Sequence, residues 1–91
     1  MAELRWSERA LRSLLHIESW LGEQSPEGAR NVIAEIDRTC TLIATMPSLG
    51  PPLPGTGLRF HITRRFKYRI VYRVTPDAIE IRDVVHPKRE P

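Results

Sequence analysis

Ser25-Pro26-Glu27-Gly28-Ala29-Arg30-Asn31-Val32-Ile33-Ala34-Glu35-Ile36-Asp37-Arg38-Thr39-Cys40-Thr41-Leu42-Ile43 carries the clearest helical period in the chain. Ser25 suits an N-cap, Pro26 the first helical position, and Glu27 the positive end of the helix dipole. Ala29, Val32, Ile33, Ile36, Cys40 and Ile43 then recur at the three- and four-residue intervals of one buried face. Cys40 belongs to that stripe, so it reads as a core residue whose thiol is kept protonated by apolar surroundings. Upstream, Ser7 caps a second amphipathic helix, with Glu8 in its first turn. Its stripe is Ala10, Leu14, Ile17 and Leu21, widened by Leu11 and Leu15, and it ends at Gly22 and Gln24. The short connection between the two makes an antiparallel helical hairpin. Leu4-Arg5-Trp6 reads as a short first strand.

Downstream, Pro47, Gly50, Pro51, Pro52, Pro54, Gly55 and Gly57 make residues 47–57 a rigid loop. It connects rather than divides, because neither half would bury its apolar face alone. Residues 58–63 read as a strand and 64–67 as a turn. In residues 68–74, Tyr68, Ile70, Tyr72 and Val74 alternate with Arg69, Val71 and Arg73, the period of a half-buried strand. Residues 75–78 form a turn. Residues 79–85 form a last strand, with Ile79 and Ile81 inward and Glu80 and Arg82 outward. Asp83-Val84-Val85 breaks that phase, which predicts a bulge or a change of edge. Residues 86–91 are a basic tail. The expected architecture is α+β: one domain over residues 1–91, with the hairpin packed on three or four antiparallel strands.

Ninety-one residues with 41% hydrophobic and 27% charged side chains suit a small folded domain. No apolar run approaches the roughly 18 residues of a membrane span. The N-terminus has no apolar signal region, and Cys40 alone forms no internal disulfide. A reduced, cytoplasmic protein is expected. A domain of this size buries only about 60% of its unfolded surface, so a stabilising partner is expected too.

The charge is uneven. Residues 1–49 hold five basic and seven acidic side chains; residues 50–91 hold nine and four. The nine are Arg59, Arg64, Arg65, Lys67, Arg69, Arg73, Arg82, Lys88 and Arg89. Such a surface attracts polyanions or an acidic protein, although solvated charge runs without a ligand are also common. Alternation sets Arg69, Arg73 and Arg82 in a row on the outer sheet face, where like charges repel unless a ligand offsets them.

Little else points to chemistry. His16, His61 and His86 are not at metal-ligand spacing, and no phosphate loop or nucleophile elbow is present. No cofactor and no metal are expected. Trp6, Trp20, Tyr68 and Tyr72 read as packing residues. His86 is the histidine nearest the basic cluster and suits an acid or base, or equally a polar residue bonded to the sheet.

Taken together, the chain resembles the RelE/ParE toxins of bacterial type II toxin–antitoxin (plasmid stabilisation) systems over nearly its full length. The resemblance rests on Trp6-Ser7-Glu8-Arg9-Ala10, Ser25-Pro26-Glu27-Gly28-Ala29, Met46-Pro47-Ser48-Leu49-Gly50 and Gly57-Leu58-Arg59. Tyr68-Arg69-Ile70-Val71-Tyr72-Arg73-Val74 and Val84-Val85-His86-Pro87-Lys88-Arg89 complete it. It is closer to the ParE branch, which implies a poison of DNA gyrase with no catalytic residues of its own. The surface facing target or antitoxin would then comprise Arg59, Arg65, Arg69, Arg73, Arg82, Lys88 and Arg89. The alternative is a RelE-like endoribonuclease that cuts mRNA on the ribosome, with Arg69 and Arg89 on the phosphate and His86 as acid or base. Against it, no tyrosine follows Tyr72, and Phe60-His61-Ile62-Thr63 stands where RelE-type lysines would be. Both branches imply a toxin–antitoxin hetero-oligomer. The antitoxin would fold along the hairpin, add a strand to a sheet edge, and set its acidic residues against the arginines.

Overall fold

The computed structural model describes residues 2–89, the side chain of Arg89 excepted. In chain order the elements are β1 (Glu3–Trp6), α1 (Glu8–Gln24), α2 (Pro26–Thr45), β2 (Pro52–Leu53), β3 (Leu58–Ile62), β4 (Arg69–Val74) and β5 (Ala78–Val85). A 3₁₀ turn, Pro87–Arg89, follows. Both helix starts are capped as their sequences demand. Ser7 Oγ accepts the Ala10 N–H and Ser25 Oγ accepts the Gly28 N–H, each at 3.0 Å. Ser25 has a second task, because its own N–H donates to the Leu21 carbonyl at 2.8 Å. One residue thus closes α1 and opens α2, a tighter junction than the Gly22–Gln24 ending suggested.

The strands form one sheet in the order β1-β5-β4-β3-β2. Two expectations need correction. The sheet has five strands, since Pro52–Leu53 inside the proline-rich loop pairs with β3. It is also mixed: β1 runs parallel to β5, with Leu4 opposite Ile79 and Trp6 opposite Ile81. Parallel neighbours need a long crossover, and here the helical hairpin and the β2–β4 meander supply it. Ser7 ties the junction by donating its N–H to the Ile81 carbonyl at 2.9 Å and its hydroxyl to the Arg82 carbonyl at 3.1 Å. The phase break in the last strand is a bulge. Tyr72 pairs with Ile81 and Val71 with Asp83, leaving Arg82 as the extra residue.

Both helices cover one sheet face. Ala10, Ile17, Val32, Ile36, Cys40 and Ile43 meet Ile70, Tyr72, Ile79, Ile81 and Val84 in a single core. Leu11 and Leu15 do not join it; they are 45% and 61% exposed, on the side of α1 turned away from the sheet. Tyr68, Ile70 and Tyr72 point inward as their alternation requires.

Tyr72 also secures the loop. Its hydroxyl accepts the Gly50 N–H at 2.9 Å and donates to the Pro47 carbonyl at 2.8 Å. Arg59 adds a 2.6 Å bond to the Gly50 carbonyl. A Cβ on Gly50 would lie 2.0 Å from the Phe60 carbonyl oxygen, so only glycine lets the loop come this close to β3. Tyr72→Phe leaves a buried N–H without its acceptor and should cost about 1–3 kcal/mol in urea denaturation. Gly50→Ala should cost more. An unchanged midpoint for Tyr72→Phe would show that the loop is held by other means.

Candidate functional site

The uncovered sheet face carries three cross-strand rows, because directly opposite residues share a face. They are Ile62–Arg69–Val85, Phe60–Val71–Asp83, and Arg73–Glu80–Arg5. The Arg69 guanidinium lies 4.6 Å from the centre of the Phe60 ring, a cation–π contact. Arg73 stands opposite Glu80, and Arg82 approaches the same carboxylate at 3.8 Å. The arginines therefore do not form the mutually repelling row that simple alternation drew. Glu80 sits among them, and Phe60 supports Arg69. Arg59 is separated from this face, since it pairs with Tyr72 on the helix side and is bonded to the loop.

His86 lies on the helix-covered side. Its ring meets Trp20 edge-on at 5.6 Å and Tyr68 at 5.2 Å, and its Nδ1 accepts the Lys88 N–H at 3.0 Å. Trp20 is 45% exposed, so it works at the rim of this cleft rather than in the core. Lys88 is exposed beside it. Arg69 and His86 are thus on opposite sides of the sheet. The side chain of Arg89 lies outside the described residues. Cys40 is inert, because burial first and the nearby Asp37 second push its thiol up to about 12. Burial also raises the Tyr68 hydroxyl. Among the described residues, no three His, Cys, Asp or Glu side chains gather as a metal ion requires, and no helix is long and apolar enough to cross a membrane.

On the far side of the hairpin runs a groove lined by Glu18, Gly22, Ala29, Arg30, Ile33 and Asp37. Leu11 and Leu15 continue the α1 side of it, each residue three or four places from the next along Leu11, Leu15, Glu18 and Gly22. The sequence placed these leucines in the core stripe. The signal that separates them is the width of that stripe, which is broader than one sheet can cover.

The β3–β4 turn rests on a residue that pattern reading passed over. Glu35, 7% exposed on α2, accepts the Arg65 N–H at 2.7 Å and the Phe66 N–H at 3.0 Å. Burial pushes its carboxyl up. The bonds from Phe66, Thr63 and Arg65 and the charge of Arg38 outweigh that and hold it below the ordinary value.

Comparison with known proteins agrees with this architecture. The family model described as the ParE toxin of the type II toxin–antitoxin system parDE matches residues 4–91. A Sinorhizobium fredii protein named "Putative toxin Y4kP" is 31% identical over 87 residues, spanning 96% of this chain and 90% of that protein. A solved structure of the chromosomal ParDE system from P. aeruginosa superposes with a TM-score of 0.83 at 21% identity. It covers 94% of this chain and 96% of its own.

The Glu35 contacts set a pH dependence. A carboxyl held low in the folded state stabilises above its unfolded value, about 4.3, and that stabilisation is lost as the pH falls through the folded value. Glu35→Gln should lower stability near pH 7 by about 1–3 kcal/mol. The gap from the parent chain should close on acidification below about pH 4. Urea midpoints across pH 3–7 test this, and a gap constant with pH would exclude a charged role for Glu35.

Proposed function

Because the chain belongs to the ParE toxin family of type II toxin–antitoxin systems, we propose that it acts by binding DNA gyrase and is silenced by direct binding of a cognate antitoxin. The observation that carries the non-enzymatic reading is the separation of Arg69 from His86. Cleavage of RNA by its own 2′-OH needs a cation on the phosphate and an acid or base at the same phosphorus. Here Arg69 and His86, the pair that the ribonuclease alternative calls on, face two ways, Arg69 against Phe60 outside the sheet and His86 against Trp20 and Tyr68 beneath it, where the neighbouring cation is Lys88. A poison that acts by occupying a partner needs no such convergence. It needs contact surface, and the outer face offers Arg69, Arg73 and Arg82 around Phe60 and Val71. We place the action in the cytoplasm, where gyrase works on DNA.

The antitoxin reading rests on the outer groove of the hairpin. Leu11 and Leu15 stay exposed on α1, two turns and one turn from Glu18, which lines the groove with Ile33, Arg30 and Asp37. A segment that folds on contact would set apolar side chains into this groove at helical spacing. Its acidic residues would face the arginines, and binding would stabilise the small toxin by mass action.

Purified toxin added to gyrase and supercoiled plasmid should raise the fraction of cleaved DNA trapped on denaturation. His86→Ala should retain most of that effect. In cells, induction without antitoxin should stop DNA synthesis before protein synthesis. The reverse order, with mRNA cut on ribosomes and loss of cutting in His86→Ala, would establish the ribonuclease instead. Leu15→Glu should weaken antitoxin binding at least about tenfold, since a charge would enter an apolar contact, while leaving the melting temperature of the free toxin unchanged. Equal affinity would move the antitoxin off this groove.

A further inference from the structure

The turn between β3 and β4 places Arg64, Arg65 and Lys67 within four residues, all exposed. Its backbone is fixed from every side. Thr63, fully buried, donates its N–H to the Tyr68 carbonyl at 2.8 Å and accepts the Lys67 N–H on its own carbonyl at 3.1 Å. Its Oγ1 accepts the Tyr68 N–H at 2.9 Å. Glu35 takes the two N–H groups between, those of Arg65 and Phe66. The result holds Lys67 at a φ of 65°, a left-handed conformation that glycine adopts with less strain. The chain keeps a cation there nonetheless.

None of the three cations is in an ion pair among the described residues, whereas Arg5, Arg9, Arg12 and Arg82 all are. Lys88 comes to the same end of the molecule, lining one cleft with Phe66 and Tyr68. Glu35 lies behind the turn with both oxygens occupied. A rigid loop carrying unpaired charge loses little entropy when it meets an anion.

We propose that this turn is a contact for the phosphate backbone of a nucleic-acid duplex. Two features select that partner. Protein interfaces need an apolar centre, and the turn has none: Phe66 is half-buried and its ring lies 4.8 Å beneath the Arg65 guanidinium. The exposed apolar side chain closest in sequence, Ile62, belongs to the outer sheet face. Single strands are held by cations together with open aromatic rings for the bases, and here Arg65 covers Phe66 as Arg69 covers Phe60. What remains is charge on a fixed frame, which suits contacts that position a protein without reading sequence. The inference stands apart from the gyrase reading, since it concerns the free chain and nucleic acid alone.

Fluorescence anisotropy with labelled 20-base-pair DNA, the matching RNA duplex and the single strands tests it across a salt series. The variant R64Q/R65Q/K67Q should bind duplex about tenfold or more weakly at low salt, with the slope of log K against log salt reduced by about 2–3. A comparison variant, R5Q/R12Q/R30Q, removes the same charge elsewhere and should bind nearly as the parent does. Where the triple turn variant melts early, Arg64→Gln alone should reduce the slope by about 1, because among the described residues no hydrogen bond or ion pair holds that side chain. DNA and RNA duplexes weakened alike mark a phosphate contact common to both; a loss confined to one identifies the helix form that the turn fits. Equal losses in the two triple variants would reduce the effect to net charge and overturn the proposal. So would an unchanged affinity, a preference for single strands, or turn-dependent binding of an acidic poly-glutamate peptide with duplex binding intact.

Discussion

A single phenol oxygen connects the two halves of this protein. The hydroxyl of Tyr72, on the central strand β4, holds both Pro47 and Gly50 and so docks the connector between helices and meander. Without that docking, α2 and β3 would be joined by a stretch of prolines and glycines with little of its own to pack. With it, the connector lies on the sheet at a distance that only a glycine permits. The phenol ring fills the core while its oxygen satisfies polar backbone that would otherwise be buried alone. Glu35 does the corresponding work at the opposite end of β3. There a helix reaches across to close a turn that its own sequence, with a lysine in a left-handed conformation, does not favour.

These two clamps explain which parts of the structure were legible in the sequence. The helices were, because Ser7 and Ser25 announce their starts and the apolar residues keep a helical period. The meander of β3, β4 and β5 was, down to the phase break at Asp83 that becomes the Arg82 bulge. What escaped depends on contacts distant in sequence. Three residues at Leu4–Trp6 identify a strand but do not encode its neighbour or its direction. The pairing of Pro52–Leu53 depends on the contacts of Tyr72 and Arg59, which bring the loop to β3. Glu35 reads as an ordinary surface position of α2 until the turn is laid against it.

The candidate surfaces divide on the same principle. Alternation along β4 placed Arg69 and Arg73 correctly on the outer face, but it could not reveal that Phe60 lies under one and Glu80 opposite the other. It could not separate Arg59 from them either, because Arg59 precedes the aromatic residue that sits on that face. The leucines of α1 were legible as apolar and not as exposed. A stripe wider than its sheet has two readings, a larger core or a second surface, and the choice lies in the sheet and not in the helix. The exposed leucines of the hairpin and the cations of the sheet and its turn thus lie on different surfaces, so partners of different chemistry need not compete for one site.

The prolines of the edge strand have a consequence for the toxin alone. An open edge is a template for the strands of other copies, and a protein that exposes one risks assembling into aggregates. At β2 that hazard is blunted. Pro51, Pro52 and Pro54 bring no N–H groups, and the strand, which Pro52 opens, is two residues long. At the other margin β1 is only four residues long, and Ala2 just before it donates its N–H to the Ala44 carbonyl at 3.0 Å. A sheet trimmed at both borders does not propagate. Short, proline-flanked borders of this kind lower the tendency of the free chain to assemble through its sheet edges.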